Sequence, residues 1–250
     1  MALAAWRTWR LMSNPALSLV DLGRLDYGAA LGLQQRICSL RQEGEIGDVL
    51  LLVEHPAVIT LGRNAHREHL VAGDDLLARR GISLFETNRG GDITYHGPGQ
   101  LVGYPVVDLR AFNPRVGIVD YMRKLEEVLI RACADYAVLT QRVAGRAGVW
   151  TVPGGAVAEK KIAALGVHVA RGVTTHGFAL NVTTDLHDFD LIVPCGIRDR
   201  AVTSMEAEAD PAPSLKEMAN SVARHFGRVF ARQVVWVQSL EDLLPCTASA

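Results

Sequence analysis

Hydrophobic and polar positions alternate along this chain with periods that change abruptly, and each change marks a predicted element. Residues 26–42 place Ala30, Leu33, Ile37 and Leu40 at intervals of three and four, on one stripe of a helix. Residues 48–53 form a short unbroken apolar run, suited to a strand covered on both faces. Glu54-His55-Pro56 ends it, because proline restricts the residue before it and has no N–H to donate. Extended structure resumes at 58–61 and turns at Gly62-Arg63-Asn64. Asp74 and Asp75 stand where a cap for the short helix 76–80 is needed, with Gly81 as its stop. Alternation over 82–87 predicts a strand; so do residues 100–109, where Pro105 argues for an edge or a bulge. The clearest helix is 118–136, with Ile118, Met122, Leu125, Leu129 and Ala132 at helical spacing.

Strands are expected again at 138–143 and 148–152 and at 177–182, while 162–169 is a small apolar stretch. Ser214 with Glu217 three residues on has the form of a capping box, opening a helix with the stripe Leu215, Met218, Val222, Phe226 and Val229. A last strand is expected at 234–237, and the tail 244–250 reads as loose. Helices are too few and too irregularly placed for a doubly wound parallel sheet. The pattern predicts an α+β fold of mixed β-sheets with flanking helices. With no repeat, linker or low-complexity tract, residues 1–250 read as one domain with a core of about 18–240.

Composition narrows the class. Hydrophobic residues make up 49% and charged residues 21% of the chain, which describes a folded protein rather than a disordered one. The net charge of −1, without blocks of like charge, announces no nucleic-acid or membrane surface. No apolar run approaches the roughly 20 residues that cross a bilayer, and the first residues lack the basic start and apolar core of a secretory signal. The expected location is cytoplasmic. Cysteines at 38, 133, 195 and 246 form no closely spaced pair, so neither a disulfide framework nor a metal site is expected. Cys38 and Cys133 lie beside the apolar stripes of their helices and read as packed thiols.

Candidate chemistry concentrates in three places. The first is Arg89-Gly90-Gly91-Asp92-Ile93-Thr94-Tyr95-His96-Gly97-Pro98-Gly99-Gln100. Such a density of glycine describes a loop pressed against a ligand or another loop, and an ordinary turn would use the same residues. Arg89 adds a fixed fork of donors and His96 a group easily tuned near neutral pH. The second is Cys195, between Pro194 and Gly196 after an apolar run, on a tight turn from which a thiol can project. An isolated cysteine is as readily a buried filler, and a nucleophile needs its pKa lowered from about 8.5, as a nearby ammonium can do. The third is Lys161, one of four lysines among 26 basic residues. It opens a small, apolar segment where an amine can be desolvated, although Lys160 and Lys161 also fit a solvated pair at a hairpin end. His55, at a strand end, reads as a hydrogen-bonded structural residue.

Together these residues resemble a family. Glu54-His55-Pro56 with Thr60-Leu61-Gly62-Arg63, the 89–105 block, Gly148-Val149-Trp150, Lys161-Ile162-Ala163-Ala164-Leu165-Gly166, the block His176-Gly177-Phe178-Ala179-Leu180-Asn181-Val182 and Pro194-Cys195-Gly196-Ile197 resemble the lipoyl(octanoyl) transferases, in order and spacing, over about residues 18–230. The resemblance implies the catalytic fold of the biotin/lipoate protein ligases. It implies an acyl transfer from octanoyl–acyl carrier protein to the ε-amine of a lysine on a lipoyl domain or glycine-cleavage H protein, without cofactor. In it Cys195 would carry the acyl group as a thioester and Lys161 would assist. The acyl group would be held by Arg89, Gly90, Gly91, Asp92, Ile93, Thr94, Tyr95 and His96, by Ala164, Leu165 and Gly166, and by Gly177, Phe178 and Ala179. Nearby rivals are an ATP-dependent lipoate–protein ligase and an amidotransferase between lipoyl proteins. The first resembles a Gly-Gly-Gly loop without a nucleophilic cysteine, unlike the His96-Gly97-Pro98-Gly99-Gln100 loop here. A non-catalytic binder of lipoyl domains would need neither Lys161 nor Cys195. Arg63, Arg67, Arg142 and Arg146 are candidate contacts for an acidic carrier.

Overall fold

The computed structural model describes residues 15–154, 158–193 and 201–243. Asp26 opens the first helix, α1 (Tyr27–Glu43), by accepting from the N–H groups of Gly28 and Ala29. Gly44 closes it at φ 80° and returns its N–H to the carbonyls of Leu40 and Arg41. The short helix α2 (Asp74–Arg80) is capped differently from expectation. Gly73 holds the cap position, so Asp74 and Asp75 act as charges in the first turn, where the helix dipole favours them. Helix α3 (Ile118–Ala134) buries Leu125, Leu129 and Ala132 of its predicted stripe, with Met122 partly buried, whereas Ile118 at its start is exposed. After the single turn α4 (Met205–Glu208), helix α5 (Leu215–Phe230) begins with both halves of the expected Ser214–Glu217 capping box.

Eleven strands were assigned among the described residues: β1 (Ala16–Arg24), β2 (Asp48–Glu54), β3 (Val58–Leu61), β4 (Ser83–Glu86), β5 (Ile93–His96), β6 (Gln100–Val106), β7 (Thr140–Val143), β8 (Arg146–Thr151), β9 (Lys161–Ala170), β10 (Val173–Asn181) and β11 (Gln233–Trp236). Eight of them make a long sheet in the order β11-β1-β2-β6-β10-β9-β8-β7, and β4-β3-β5 make a small one. The β1 strand is parallel to both β11 and β2, while the ladders from β2 to β7 are antiparallel. This is the mixed α+β architecture that the irregular alternation of elements predicts.

The long sheet divides two cores. Leu50 and Leu52 of β2 face α3 and α5, meeting Leu125, Leu129, Met218, Val222 and Phe226. Val49, Leu51 and Val53 face α1, meeting Ala30, Ile37 and Cys38. A strand buried on both sides is what the unbroken apolar run requires. A third cluster, around Ile59, Leu77, Ile93, Tyr95 and Phe189, backs the small sheet.

Pro105 is a correction. Rather than marking an edge or a bulge, it sits in β6 near the middle of the long sheet, opposite Leu50 of β2. Its carbonyl accepts from the Thr174 hydroxyl at 2.7 Å, on the β10 side. The β6–β10 ladder has already ended at Gly103, so the missing proline N–H leaves no rung empty. Among the described residues no helix is long and apolar enough to cross a membrane. The expected turn at Pro194–Ile197 and the tail 244–250 lie outside the described residues.

Candidate active site

The glycine-rich segment is pressed against its neighbours, as its composition demands. Gly90 N–H donates to Val167 O of β9 at 3.0 Å, and a Cβ on Gly166 would stand 2.6 Å from Gly90 O. On the other side Gly62, Arg63 and Asn64 donate their N–H groups to the carbonyls of Asp92, Arg89 and Gly91. Arg89 is buried. Its Nη2 donates to Thr60 O at 2.6 Å and to Thr60 Oγ1 at 2.9 Å, and its Nη1 donates to Gly90 O at 3.2 Å. The fork of Arg89 thus ties the loop to β3, and its charge lies at the wall of a cavity.

That cavity lies between the loop, β5, β6, the facing ends of β9 and β10, and the first turn of α1. It encloses about 510 Å³ of non-atom space, open mouth included. Of the sequence-predicted residues, Arg89, Gly91, Asp92, Ile93, Thr94, His96, Lys161, Ala164–Gly166 and Gly177–Ala179 line it. Gly90 and Tyr95 do not. Gly90 serves the contact with β9, and Tyr95 packs into the small-sheet core with its hydroxyl donating to Asp188 at 2.9 Å. Sequence reasoning missed Tyr27, Val102, Tyr104 and His176, which complete the lining.

Lys161 is the first residue of β9 and is only 8% exposed. Its main chain is pinned on the far side, donating to Ala201 O at 2.9 Å and accepting from Thr203 N–H at 2.9 Å. Its Nζ lies 4.8 Å from the centre of the Trp150 ring, a cation–π distance. The stem passes over Gly148, where a Cβ would stand 3.1 Å from Lys161 Cε. Lys160 points elsewhere and pairs with Glu208 at 2.8 Å. The reading of the two as one solvated pair is therefore wrong: one is a surface ion-pair partner and the other borders the cavity.

Behind the cavity is a chain of neutral polar groups whose protons can be placed. Asn181 Nδ2 donates to Thr203 O, and Gln100 Nε2 donates to Asn181 Oδ1 and Tyr95 O, so Gln100 Oε1 must face His96 Nδ1 as an acceptor at 2.7 Å. His96 therefore carries its proton on Nδ1. Burial, aided by the neighbouring imidazoles and the Arg89 charge and opposed by the Gln100 hydrogen bond, pushes its pKa down to about 3. His55 is structural, as expected: Nδ1–H donates to Leu25 O at 2.7 Å, so Nε2 accepts from the Tyr104 hydroxyl at 2.7 Å. Burial holds His55 below the usual histidine value and Tyr104 well above the usual phenol. Tyr27 stacks on His96 with ring centres 6.0 Å apart.

The cysteines divide as predicted where they can be seen. Burial raises Cys38 and pushes Cys133 up to about 12, and both lie in the apolar cores. Both are packed thiols, as expected. Cys195 lies outside the described residues. Of the proposed carrier contacts, Arg142 is committed to Glu126 and Glu127, and Arg146 lies over Trp150. The cavity can thus hold an apolar chain among small strand residues, with one ammonium at its border and dry, neutral imidazoles behind it.

Residues 26–227 match the family described as the lipoyl protein ligase A/B catalytic domain. The chain is 60% identical over 236 residues to a protein named octanoyltransferase from Acidobacterium capsulatum, covering 92% of this chain and 96% of that one. It is 53% identical to an octanoyltransferase from Koribacter versatilis, over 92% of this chain and 90% of that one. A bipartite lipoate protein ligase from Thermoplasma acidophilum, solved in a study that included its E2 lipoyl domain, matches with TM-score 0.66 at 18% identity, over 91% of this chain and 87% of that chain. A lipoate-protein ligase A bound with ATP matches with TM-score 0.65 at 19% identity, over 92% and 91%. At such identities the structural likeness is one of fold, and the expected lipoate-ligase fold is borne out.

Proposed function

Because the chain belongs to the lipoyl protein ligase A/B catalytic-domain family, among its octanoyltransferases, we propose that it carries an octanoyl group from octanoyl–acyl carrier protein to a lysine of a lipoyl domain through a thioester on Cys195. The Cys195 thiolate attacks the donor's carbonyl carbon, the bond to the carrier sulfur breaks, and that sulfur takes a proton from the Lys161 ammonium. The acceptor lysine, as a free amine, then attacks the Cys195 thioester. It passes one proton to neutral Lys161, and the Cys195 thiolate leaves. Thiolate and ammonium are both regenerated, and no cofactor is consumed. Lipoyl domains and the glycine-cleavage H protein are the acceptors in this reading, and the reaction is cytoplasmic. The chain acts as a single catalytic domain.

The observation that carries the reading is the placement of Lys161, buried and at the edge of a cavity whose other walls are the expected acyl-binding strands. A second supports it. The chain is tied down on both sides of Cys195: Val193 N–H donates to His69 O at 2.7 Å, and Ala201 O accepts from Lys161. His69 is itself fixed by Asp92, a residue of the cavity wall, at 2.5 Å.

The test is intact mass after incubation with octanoyl–acyl carrier protein without ATP, for the wild type, Cys195→Ala and Lys161→Ala. The wild type should gain one octanoyl group, which a lipoyl domain then removes. Cys195→Ala should gain none, and Lys161→Ala should turn over at least about a hundredfold more slowly, the usual worth of a positioned acid or base. Labelling of the acceptor only with ATP and free octanoate would sink the proposal in favour of a ligase.

A further inference from the structure

Two cavities adjoin along β9, β10 and α1, and one side chain borders both. The first is the acyl cavity. The second, enclosing about 600 Å³ of non-atom space with its open mouth, is bordered by Leu31, Gln34, Cys38, Asn88, His168 and Thr175, among others. Three elements run from one to the other. On β9, Ala164 and Gly166 border the first and His168 the second; their partners across the β10 ladder, Ala179, Gly177 and Thr175, divide in the same way. On α1, Tyr27 borders the first, while Leu31 and Gln34, one and two turns further on, border the second. Among the described residues His176 alone borders both.

Its backbone puts it there. Thr175 borders the second cavity, Gly177 the first, and His176 between them borders both. At His176 φ is +56°, in the left-handed region that non-glycine residues seldom enter. Glycine would adopt it without strain and supply no ring. The ring is braced: Nε2 lies 2.7 Å from Asn88 Oδ1, and the His176 N–H donates to Gln34 Oε1 at 2.9 Å. His176 Nδ1 and Gln34 Nε2 are buried with no partner among the described residues, a cost that the fold carries here as at several other side chains.

We infer that the His176 ring, braced by Asn88, is the end wall of the acyl cavity and sets the longest straight chain that the enzyme accepts. An octanoyl-length chain stops against the ring. Without the ring, the blind cavity becomes a channel that opens into the amide-lined groove beyond, and longer chains pass through. His176 is a specificity-determining residue here and has no part in the bond-making steps. The inference rests on the acyl-transfer reading above, and its test separates the two.

Transfer from octanoyl, decanoyl, dodecanoyl and tetradecanoyl carrier thioesters to a lipoyl domain is measured for the wild type, His176→Gly and His176→Asn. Binding of the matching free fatty acids is measured in parallel by calorimetry. Both substitutions tolerate a positive φ, so each reads the wall if the other fails to fold. The wild type should discriminate sharply against dodecanoyl, and His176→Gly should raise the dodecanoyl-to-octanoyl ratio of kcat/KM by at least about tenfold, the low end of what a methylene in a filled pocket is worth. His176→Asn should fall between. If a folded, octanoyl-active His176→Gly keeps the wild-type length profile in both transfer and binding, the wall is elsewhere and the inference is overturned. If the wild type transfers nothing while fatty-acid binding still lengthens in the variants, the wall stands and the acyl-transfer reading fails.

Discussion

His55 and His96 both carry their ring proton on Nδ1, and both assignments rest on partners that can only accept, a backbone carbonyl and an amide oxygen. For His96 that partner is held by two further bonds, so Gln100 is the residue on which the arrangement turns. Replacing it by leucine strands the His96 N–H and the Asn181 oxygen in a dry site. We expect Gln100→Leu to cost at least about 2 kcal/mol in urea unfolding, given about 1–3 kcal/mol for each buried group left unpaired. A change within about 0.5 kcal/mol would contradict this network. At this scale the sequence was readable where a residue type is demanding. Lys161 stood out as an amine at the head of a small apolar segment, and Cys38 and Cys133 as thiols on apolar stripes. Tyr27, Tyr104 and His176 did not stand out. An aromatic in an apolar run is indistinguishable from core, and the positive φ that brings His176 to the cavity leaves no mark on its side chain.

Among the elements, the apolar periods placed the helices and most strands within a residue or two of where they lie. They failed at β1 and α4, whose residues were given no element, at β5, which was read as loop, at the start of β10, four residues earlier than expected, and at Pro105, where the strand's position could not be read. Periodicity reports which face of an element is buried, not which element lies beside it. The capping box of α5 shows the opposite case, because both its partners lie within one turn. Ser214→Ala should remove about 1 kcal/mol and lower Tm by about 2–4 °C in a chain of this size, read by calorimetry; an unchanged Tm would mean that the cap carries no weight. The contact between the Arg89 loop and β9 is a second element-scale test. With only 2.6 Å available to a Cβ at Gly166, Gly166→Ala must displace Gly90 and with it the loop. Octanoyl transfer should fall at least about tenfold, mostly through KM if the loop holds the substrate; an unaltered KM and kcat would show that the loop can move without consequence.

Across the whole molecule, burying imidazoles makes stability depend on pH on the mildly acidic side. In the unfolded chain a histidine titrates near 6.5, whereas the folded values are about 3 for His96 and about 4 for His176, with His55 also lowered. The unfolded state therefore binds more protons below pH 6.5. Stability is complete above that value and is lost as pH falls toward the folded values. By pH 5 His96 and His176 should each remove about 2 kcal/mol. Asp135, held down at about 2, acts only below this window. Calorimetric Tm should drop steadily from pH 7 to 5, and less steeply in His176→Gln; a flat profile would refute the buried neutral state. The pairing of β1 with β11 has a different consequence. Residues 16–19 find their outer partners only at 233–236, nearly the whole chain later, whereas among the described residues those lining the acyl cavity fall between Tyr27 and Ala179. During synthesis the described lining of the cavity, and the residues Ala201 and Thr203 that pin Lys161, thus leave the ribosome while one margin of the long sheet still awaits its last strand. The nascent chain must protect that margin until its final segment emerges.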